Sequence, residues 1–197
     1  ASNANRVLTD FINSGVYDKR RDFLRTSSPS MDILVSSNLE RYLFHLLSGN
    51  SSMVKTYMDL LANEGFYKLE ADILEKLQDE FAAYCCDENQ TSESIKQVYD
   101  RCGYVCDPHT AVGWYAAQQY KKAADTNNPM VILSTASPFK FPEAVLSALG
   151  QSTDGSDFEK LRRLEKFSGV SVPHGLAVLE KMPVLHTGDA ERSPPRS

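Results

Sequence analysis

The sequence predicts a mostly helical α/β domain that contains one or two strands of a parallel sheet. Two patterns and the composition support this prediction. About eight segments carry apolar residues at helical spacing, each bounded by capping or stop residues. Residues 131–150 read instead as a strand, a loop and a helix. The 197 residues are 42% hydrophobic and 24% charged, which is typical of a globular domain.

The first half of the chain is predicted to consist mainly of helices. The stripe in RVLTDFINSG ends at Gly15, a typical helix stop. Ser37 and Glu40 have the spacing of a capping box, in which each side chain bonds the free backbone N–H of the other residue. The segment DILVSS, residues 32–37, is a candidate strand. Three further helices are predicted at residues 51–65, 70–85 and 91–103.

The second half contains the clearest start signals. Asp107 is the predicted N-cap of a helix, and Pro108 occupies its first position, where a missing N–H costs nothing. The apolar residues 131–133 predict a short buried strand. After a loop rich in hydroxyl residues, a helix is predicted from about Pro142 to Gly150. In an open α/β sheet, small ligands bind beyond the carboxyl ends of strands, which is where this loop lies.

The small number of strands indicates that the chain is part of something larger. A parallel strand needs hydrogen-bonded neighbours, and this sequence offers too few. The sequence also begins ASNANRVL, without an initiator Met. We therefore expect the remaining strands to come from an absent part of the protein or from another copy. Residues 187–197 have no apolar stripe and contain two prolines, so we expect a disordered tail.

Composition excludes several classes of partner. The net charge of −5 argues against a nucleic-acid partner, because binding phosphates requires a basic face. There is no apolar run of about 18 residues for a membrane helix and no pattern of a secretion signal. We expect a cytoplasmic protein with four reduced cysteines. Cys102, Cys106 and His109 match known zinc spacings poorly, so no metal site is predicted.

Four stretches, taken together and in order, resemble one enzyme family. They are ASNANRVLTDF, SPSMDILVSSNLERYLFHL, CDPHTAVGWYAA and ILSTASPFKFPEAV. They resemble the C-terminal portion of threonine synthase of the bacterial and fungal type. The resemblance implies that residues 1–186 are the C-terminal part of a catalytic domain that binds pyridoxal phosphate. The implied fold is the tryptophan-synthase-β-like fold, known as fold type II.

The resemblance also implies an activity. Threonine synthase is a carbon–oxygen lyase acting on phosphate, which converts O-phosphohomoserine and water to L-threonine and phosphate with pyridoxal 5'-phosphate as cofactor. The Schiff-base lysine and the phosphate-binding loop of the family have no counterpart in this chain. Lys140 is therefore interpreted as a helix-entry residue, and no catalytic residue is assigned. We expect the isolated chain to be inactive and to require the missing N-terminal part of the same protein.

Thr135 is the predicted cofactor-binding residue. In the family, the Thr of the pattern TA-x-P-x-KFPEA hydrogen-bonds the pyridine nitrogen of the cofactor, and a hydroxyl can donate to an unprotonated nitrogen. The alternative is that Thr135 only caps the following turn. Four other polar residues have two readings each. Asn5 is either the N-cap of the first helix or a phosphate contact, and Arg41 is either a surface residue or a phosphate contact. Asp32 either lines the site or orients the loop backbone. His109 is either a structural residue or a proton shuttle.

Two other functions stay open at the level of sequence. The first is a threonine synthase-like phospholyase, which would share the fold and the cofactor but differ in its substrate pocket. The second is a catalytically silent helical interaction module, which the missing lysine and phosphate loop favour for the isolated chain. The family-like Thr135 motif favours part of an enzyme, because a silent module has no need of it.

Overall fold

The computed structural model describes residues 1–185 and residue 188. This part of the chain is mostly helical, as predicted. Its helices are α1 (Val7–Ser14), α2 (Leu39–Leu46), α3 (Ser51–Asn63), α4 (Ala71–Glu80), α5 (Glu88–Cys102), α6 (Pro108–Ala123), α7 (Pro142–Ala148), α8 (Asp157–Ser168) and α9 (His174–Ala177). Strands β1 (Val16–Asp18) and β2 (Phe66–Lys68) pair antiparallel, and short 3-10 turns span Pro29–Met31, Pro138–Lys140 and Val178–Lys181. The predicted tail, 187–197, lies outside the described residues except for position 188.

Helices α1–α4 and the β1–β2 pair enclose a first core. Aromatic rings dominate its centre, where the rings of Tyr17 and Tyr67 stack with centroids 5.4 Å apart. Tyr57 stacks on Tyr67 from α3, at 5.0 Å, and Phe11 meets both strand tyrosines edge-on. Such aromatic pairs add to the free energy gained from burying the rings. The remaining buried members are Val7, Leu43, Leu47, Val54, Leu61, Leu69, Ile73 and Leu77.

Helices α5–α8 enclose a second core. It is made mainly of aliphatic side chains, together with Phe139 from the turn before α7. Helix α5 packs along α6 and against α7, and α8 covers α7. Its other buried members are Ile95, Val98, Val105, Cys106, Ala111, Val145, Leu146, Ala148, Leu161 and Leu164. The described residues therefore form two centres of hydrophobic packing, one in each half.

The β1–β2 pair is a feature that the sequence analysis missed. Each strand follows a glycine that ends a helix in the left-handed conformation: Gly15 has φ 76° and Gly65 has φ 80°. A Cβ on Gly65 would lie 2.6 Å from Cγ of Arg20, so glycine also makes room for that side chain. Three residues are too few to show the period of two that identifies a strand. The repeated pattern of glycine, an apolar residue and tyrosine was the available signal.

The strand predicted at residues 131–133 is wrong. These residues belong to no ladder, and Val131 and Leu133 are 87% and 75% exposed. A parallel strand is stable only with neighbours on the sheet, and the described residues supply none to this segment. One parallel contact does form elsewhere, since Ser2 pairs with Cys85 in an isolated bridge.

Two predictions around α2 are also wrong: the strand at residues 32–37 and the capping box of Ser37 with Glu40. Residues 32–37 form no strand: residues 34 and 35 are in a bend, and a turn begins at Ser37. Helix α2 begins at Leu39 with Asn38 as its N-cap, and no side chain caps its first turn. Ser37 therefore lies before the helix, and it forms no capping box with Glu40. In contrast, the predicted start of α6 is confirmed: Asp107 is the N-cap, and its side chain accepts a hydrogen bond from the backbone N–H of His109.

The four cysteines are free thiols, and they differ in exposure. Burial raises the pKa of Cys86 to about 11 and that of Cys106 to about 12. Because the thiolate is the nucleophile, both buried thiols are protected from reagents in two ways: they are inaccessible, and their raised pKa leaves little thiolate. Within residues 1–185, no group of three or more His, Cys, Asp and Glu side chains converges as metal ligands. Over the same residues, no helix has both the length and the apolar character needed to cross a membrane.

We expect a brief treatment of the folded protein with iodoacetamide to alkylate Cys102 first, because it is the exposed cysteine. Peptide mass spectrometry at several times of reaction would give the order of labelling. The same measurement in urea is the control, where all four thiols should react. Early labelling of Cys106 in the folded protein would contradict the burial described here.

Candidate functional site

An open groove of about 620 Å³ lies between the two halves of the chain. One wall is the end of α4 and the segment after it, with Phe81 and Tyr84. A second wall is the face of α6, and the third is the extended segment 130–135. The lining is more apolar than polar, with Ile132 and Leu133 among its residues. We call this cavity the central groove.

Thr135 lines the central groove at the end of the extended segment, and its side chain is exposed. The neighbouring hydroxyls are used elsewhere. Ser134 shares a hydrogen bond of 2.9 Å with the hydroxyl of Tyr104. Ser137 caps the next turn, because its hydroxyl accepts the backbone N–H of Phe139 at 3.3 Å. The turn after the motif is thus capped by Ser137, and Thr135 is left facing the groove.

A partly buried cluster of two amides, one hydroxyl and one carboxylate joins the start of the chain to the loop that precedes α2. Asp32 is at its centre. One oxygen of Asp32 accepts hydrogen bonds from the side-chain amides of Asn3 at 2.7 Å and Asn5 at 3.0 Å, and from the Thr26 hydroxyl at 2.7 Å. The other oxygen accepts the backbone N–H of Thr26 at 3.0 Å. We call Asn3, Asn5, Thr26 and Asp32 the Asn–Asp cluster.

The Asn–Asp cluster fixes the loop of residues 24–32. Asn5 accepts the backbone N–H of Leu24 at 2.9 Å and donates to its carbonyl at 2.8 Å. The predicted N-cap role of Asn5 is wrong, since Arg6 is the N-cap of α1 and no side chain caps that helix. The predicted role of Asp32 in orienting loop backbone is confirmed by its bond to Thr26. Asn3 is fully buried, so its amide is a structural group of this loop.

His109 connects the 24–32 loop to α6. Its Nδ1 lies 2.9 Å from Oδ1 of Asp107, and its Nε2 accepts the backbone N–H of Ser30 at 3.1 Å. The ring also packs on Phe141, with centroids 4.9 Å apart. Both His109 and Asp107 are buried. Sequence reasoning could not find this contact, because Ser30 and His109 are 79 positions apart.

Arg41 and Lys140 lie outside the central groove. Arg41 is exposed on α2, where it donates to the side chain of Asn38 and lines a separate cavity between α2 and α3. Lys140 is exposed in the turn Pro138–Lys140 and lines a neighbouring cavity. The structure therefore brings Thr135 and His109 together at the central groove, but not Arg41 or Lys140.

The fold has close counterparts among solved structures. It matches threonine synthase from yeast with a TM-score of 0.76 and 31% sequence identity, over 93% of this chain and 37% of that chain. It matches the pyridoxal-phosphate-bound threonine synthase from Brucella melitensis with a TM-score of 0.72 and 33% identity, over 92% and 38%. The fold is therefore that of the C-terminal part of pyridoxal-phosphate enzymes of fold type II.

Sequence comparison gives the family. The family model "Threonine synthase, C-terminal" matches residues 110–183. Human threonine synthase-like 1 is 36% identical over 194 residues, which are 98% of this chain and 24% of that protein. Threonine synthase of Pseudomonas aeruginosa is 41% identical over 154 residues, 77% of this chain and 32% of that protein. The chain belongs to the threonine synthase family and matches the C-terminal portion of its members. It spans about a quarter to a third of the length of these relatives.

Proposed function

We propose that this chain is the C-terminal part of a cytoplasmic threonine synthase. The complete enzyme converts O-phosphohomoserine and water to L-threonine and phosphate, as a carbon–oxygen lyase acting on phosphate. The observation that carries the proposal is the position of Thr135. It belongs to the family motif, it lies in the central groove, and the turn beside it is capped by a different residue, Ser137.

The groove residues fit one end of pyridoxal phosphate. A hydroxyl at Thr135 can donate to an unprotonated pyridine nitrogen. The aromatic and aliphatic lining, which includes Phe81, Tyr84 and Ile132, suits the faces of a flat ring. The cofactor, when bound, supplies an electron sink while phosphate leaves and water adds. The part of this chain in the reaction is to orient the ring nitrogen, shield the ring from water and keep the groove walls in place.

The remaining machinery belongs to the rest of the protein. The resemblance places the Schiff-base lysine and the phosphate-binding loop outside this sequence. We therefore propose that the isolated chain is inactive and that its essential partner is the N-terminal part of the same polypeptide. The substrate is a small molecule, and nothing in the described surface suggests a nucleic-acid partner, since the net charge is −5.

A direct assay tests the proposed reaction. The whole protein, incubated with pyridoxal phosphate and O-phosphohomoserine, should release phosphate and form threonine in equal amounts. The isolated 197-residue chain, under the same conditions, is the matched control and should release neither. Activity of the isolated chain would contradict the incomplete site, and phosphate release without threonine would contradict the proposed product.

One observation favours a threonine synthase-like phospholyase as a second candidate. The similarity to human threonine synthase-like 1 extends over 98% of this chain, compared with 77% for the Pseudomonas synthase. Such an enzyme would eliminate phosphate from the same kind of substrate and release ammonia and a keto acid instead of threonine. Analysis of the products in the assay above separates the two. If the whole protein binds no pyridoxal phosphate, the result would favour the catalytically silent interaction module.

A further inference from the structure

We infer that His109, held by Asp107, is a positioning residue that fixes the 24–32 loop against the central groove. The inference rests on the proposed function for its effect on the cofactor, but the contact itself rests on geometry alone. His109 and Met31 both line the groove. The backbone N–H of Ser30, next to Met31, donates to His109 Nε2 at 3.1 Å. The ring therefore joins the loop to α6 at the edge of the site.

The hydrogen bonds around His109 define which ring nitrogen carries the proton. Because Ser30 donates an N–H to Nε2, that nitrogen carries no proton and serves as an acceptor. The proton must lie on Nδ1, which donates to Oδ1 of Asp107 at 2.9 Å. The same oxygen accepts the backbone N–H of His109 at 2.9 Å, and the Thr110 hydroxyl donates to the other oxygen. A fully buried carboxylate with three donors holds the ring in one tautomer and one orientation.

The same ring contacts the segment that carries Thr135. Phe141, which follows Thr135 by six positions, packs on the His109 ring. Phe139 anchors the intervening turn in the second core. Three segments thus meet at one imidazole: the 24–32 loop, whose Met31 lines the groove, the start of α6, and the turn after Thr135. A shift of this ring would move the α6 wall of the groove and Met31 together.

Proton transfer is a poorer role for His109. Both ring nitrogens are used by protein groups, and the side chain is 4% exposed. A general base needs a free nitrogen within hydrogen-bond reach of the proton that it takes. His109 could offer one only if the contact with Ser30 opened. Its arrangement is that of a residue which acts through its neighbours.

Two substitutions in the whole protein separate these roles. In His109→Asn, the shorter amide reaches Asp107 but not Ser30. In His109→Gln, the longer amide places an oxygen near the position of Nε2 and can still accept the Ser30 N–H. His45→Asn is the matched control, since His45 is exposed on α2 and lines a different cavity. Hydrogen exchange at the amides of Ser30 and Met31 reports the contact, and cofactor affinity with kcat and KM reports its effect on the site.

We expect His109→Asn to lose protection at Ser30 and to weaken cofactor affinity and raise KM by about tenfold, with a smaller fall in kcat. His109→Gln should recover most of the protection at Ser30 and most of the cofactor affinity and KM. His45→Asn should behave like the wild type. Equal losses of kcat in the Asn and Gln variants, with KM unchanged, would show proton transfer and overturn the inference. Retained protection of Ser30 in His109→Asn would overturn it as well.

The two proposals can fail separately. If the whole protein makes no threonine, the exchange rates at Ser30 still decide whether His109 holds the loop. If the Asn variant does not fold, nitrogen-15 NMR of the wild-type protein decides. It must show an unprotonated Nε2 and a protonated Nδ1 in the neutral imidazole of His109. A protonated Nε2 would contradict the inference.

Discussion

Replacing Thr135 by valine in the whole protein is expected to lower kcat/KM for O-phosphohomoserine by about 10-fold to 100-fold. Valine keeps the branched shape at the end of the extended segment but removes the hydroxyl. In the proposed site, the ring nitrogen of the cofactor would then lose its donor. Steady-state kinetics with saturating pyridoxal phosphate measures the effect on turnover, and titration of the cofactor measures the effect on its affinity.

Two further variants make this result specific. Thr135→Ser restores a hydroxyl at the same position and should recover most of the activity. Ser134→Ala removes the adjacent hydroxyl, which bonds Tyr104 rather than lining the groove, and should leave the kinetics near those of the wild type. Wild-type kinetics in Thr135→Val would remove Thr135 from the site and leave the fold assignment intact.

Replacing Asp32 by asparagine is expected to lower the free energy of unfolding by about 2–4 kcal/mol. The substitution keeps the size of the side chain but turns one acceptor into a donor. Donors of Asn3, Asn5 and Thr26 now share the two carboxylate oxygens, and at least one would face an N–H instead. The amide oxygen of the new side chain can serve the three donors that share Oδ1, so the backbone N–H of Thr26, which donates to the other oxygen at 3.0 Å, would face the N–H group and lose its acceptor. Urea denaturation followed by circular dichroism measures the change.

Asp22→Asn is the control for this prediction. Asp22 precedes the same loop but is exposed, so its substitution should change stability by less than about 0.5 kcal/mol. If both variants unfold at the same urea concentration as the wild type, the Asn–Asp cluster does not stabilise the loop. A loss of cofactor affinity in Asp32→Asn, measured where the variant is still folded, would show that the loop also keeps the walls of the central groove in place.

Local signals predicted the helices well. The pair Asp107–Pro108 identified the first turn of α6, because an N-cap side chain and a proline at the first position act within one turn. The helix after Thr135 likewise begins at Pro142, as predicted. The assignment of Thr135 came from a motif rather than from periodicity; the residue lines the central groove, and its contact with the cofactor stays a prediction.

Information that is distant in sequence was not available to the prediction. Residues 131–133 have the composition of a buried strand, but a strand is defined by its neighbours, which these residues lack in the described chain. The roles of Asn5 and His109 depend on partners 19 to 79 positions away. Ser37 and Glu40 had the right spacing for a capping box, but the bends before α2 place the helix start two residues after Ser37.

The two cores have a consequence for how the molecule deforms. Contacts across the boundary between the halves include several polar ones: the Ser2–Cys86 backbone pair, Ser27 with Glu88, and Ser30 with His109. Separating the halves along this seam would expose hydrogen-bonding groups, which water can satisfy, while each core stays closed. We therefore expect opening at this boundary to cost less free energy than disrupting either core. A molecule bound in the groove would contact both halves and oppose their separation, and its binding would raise the free energy of unfolding by RT ln(1 + [L]/Kd), where [L] is its free concentration.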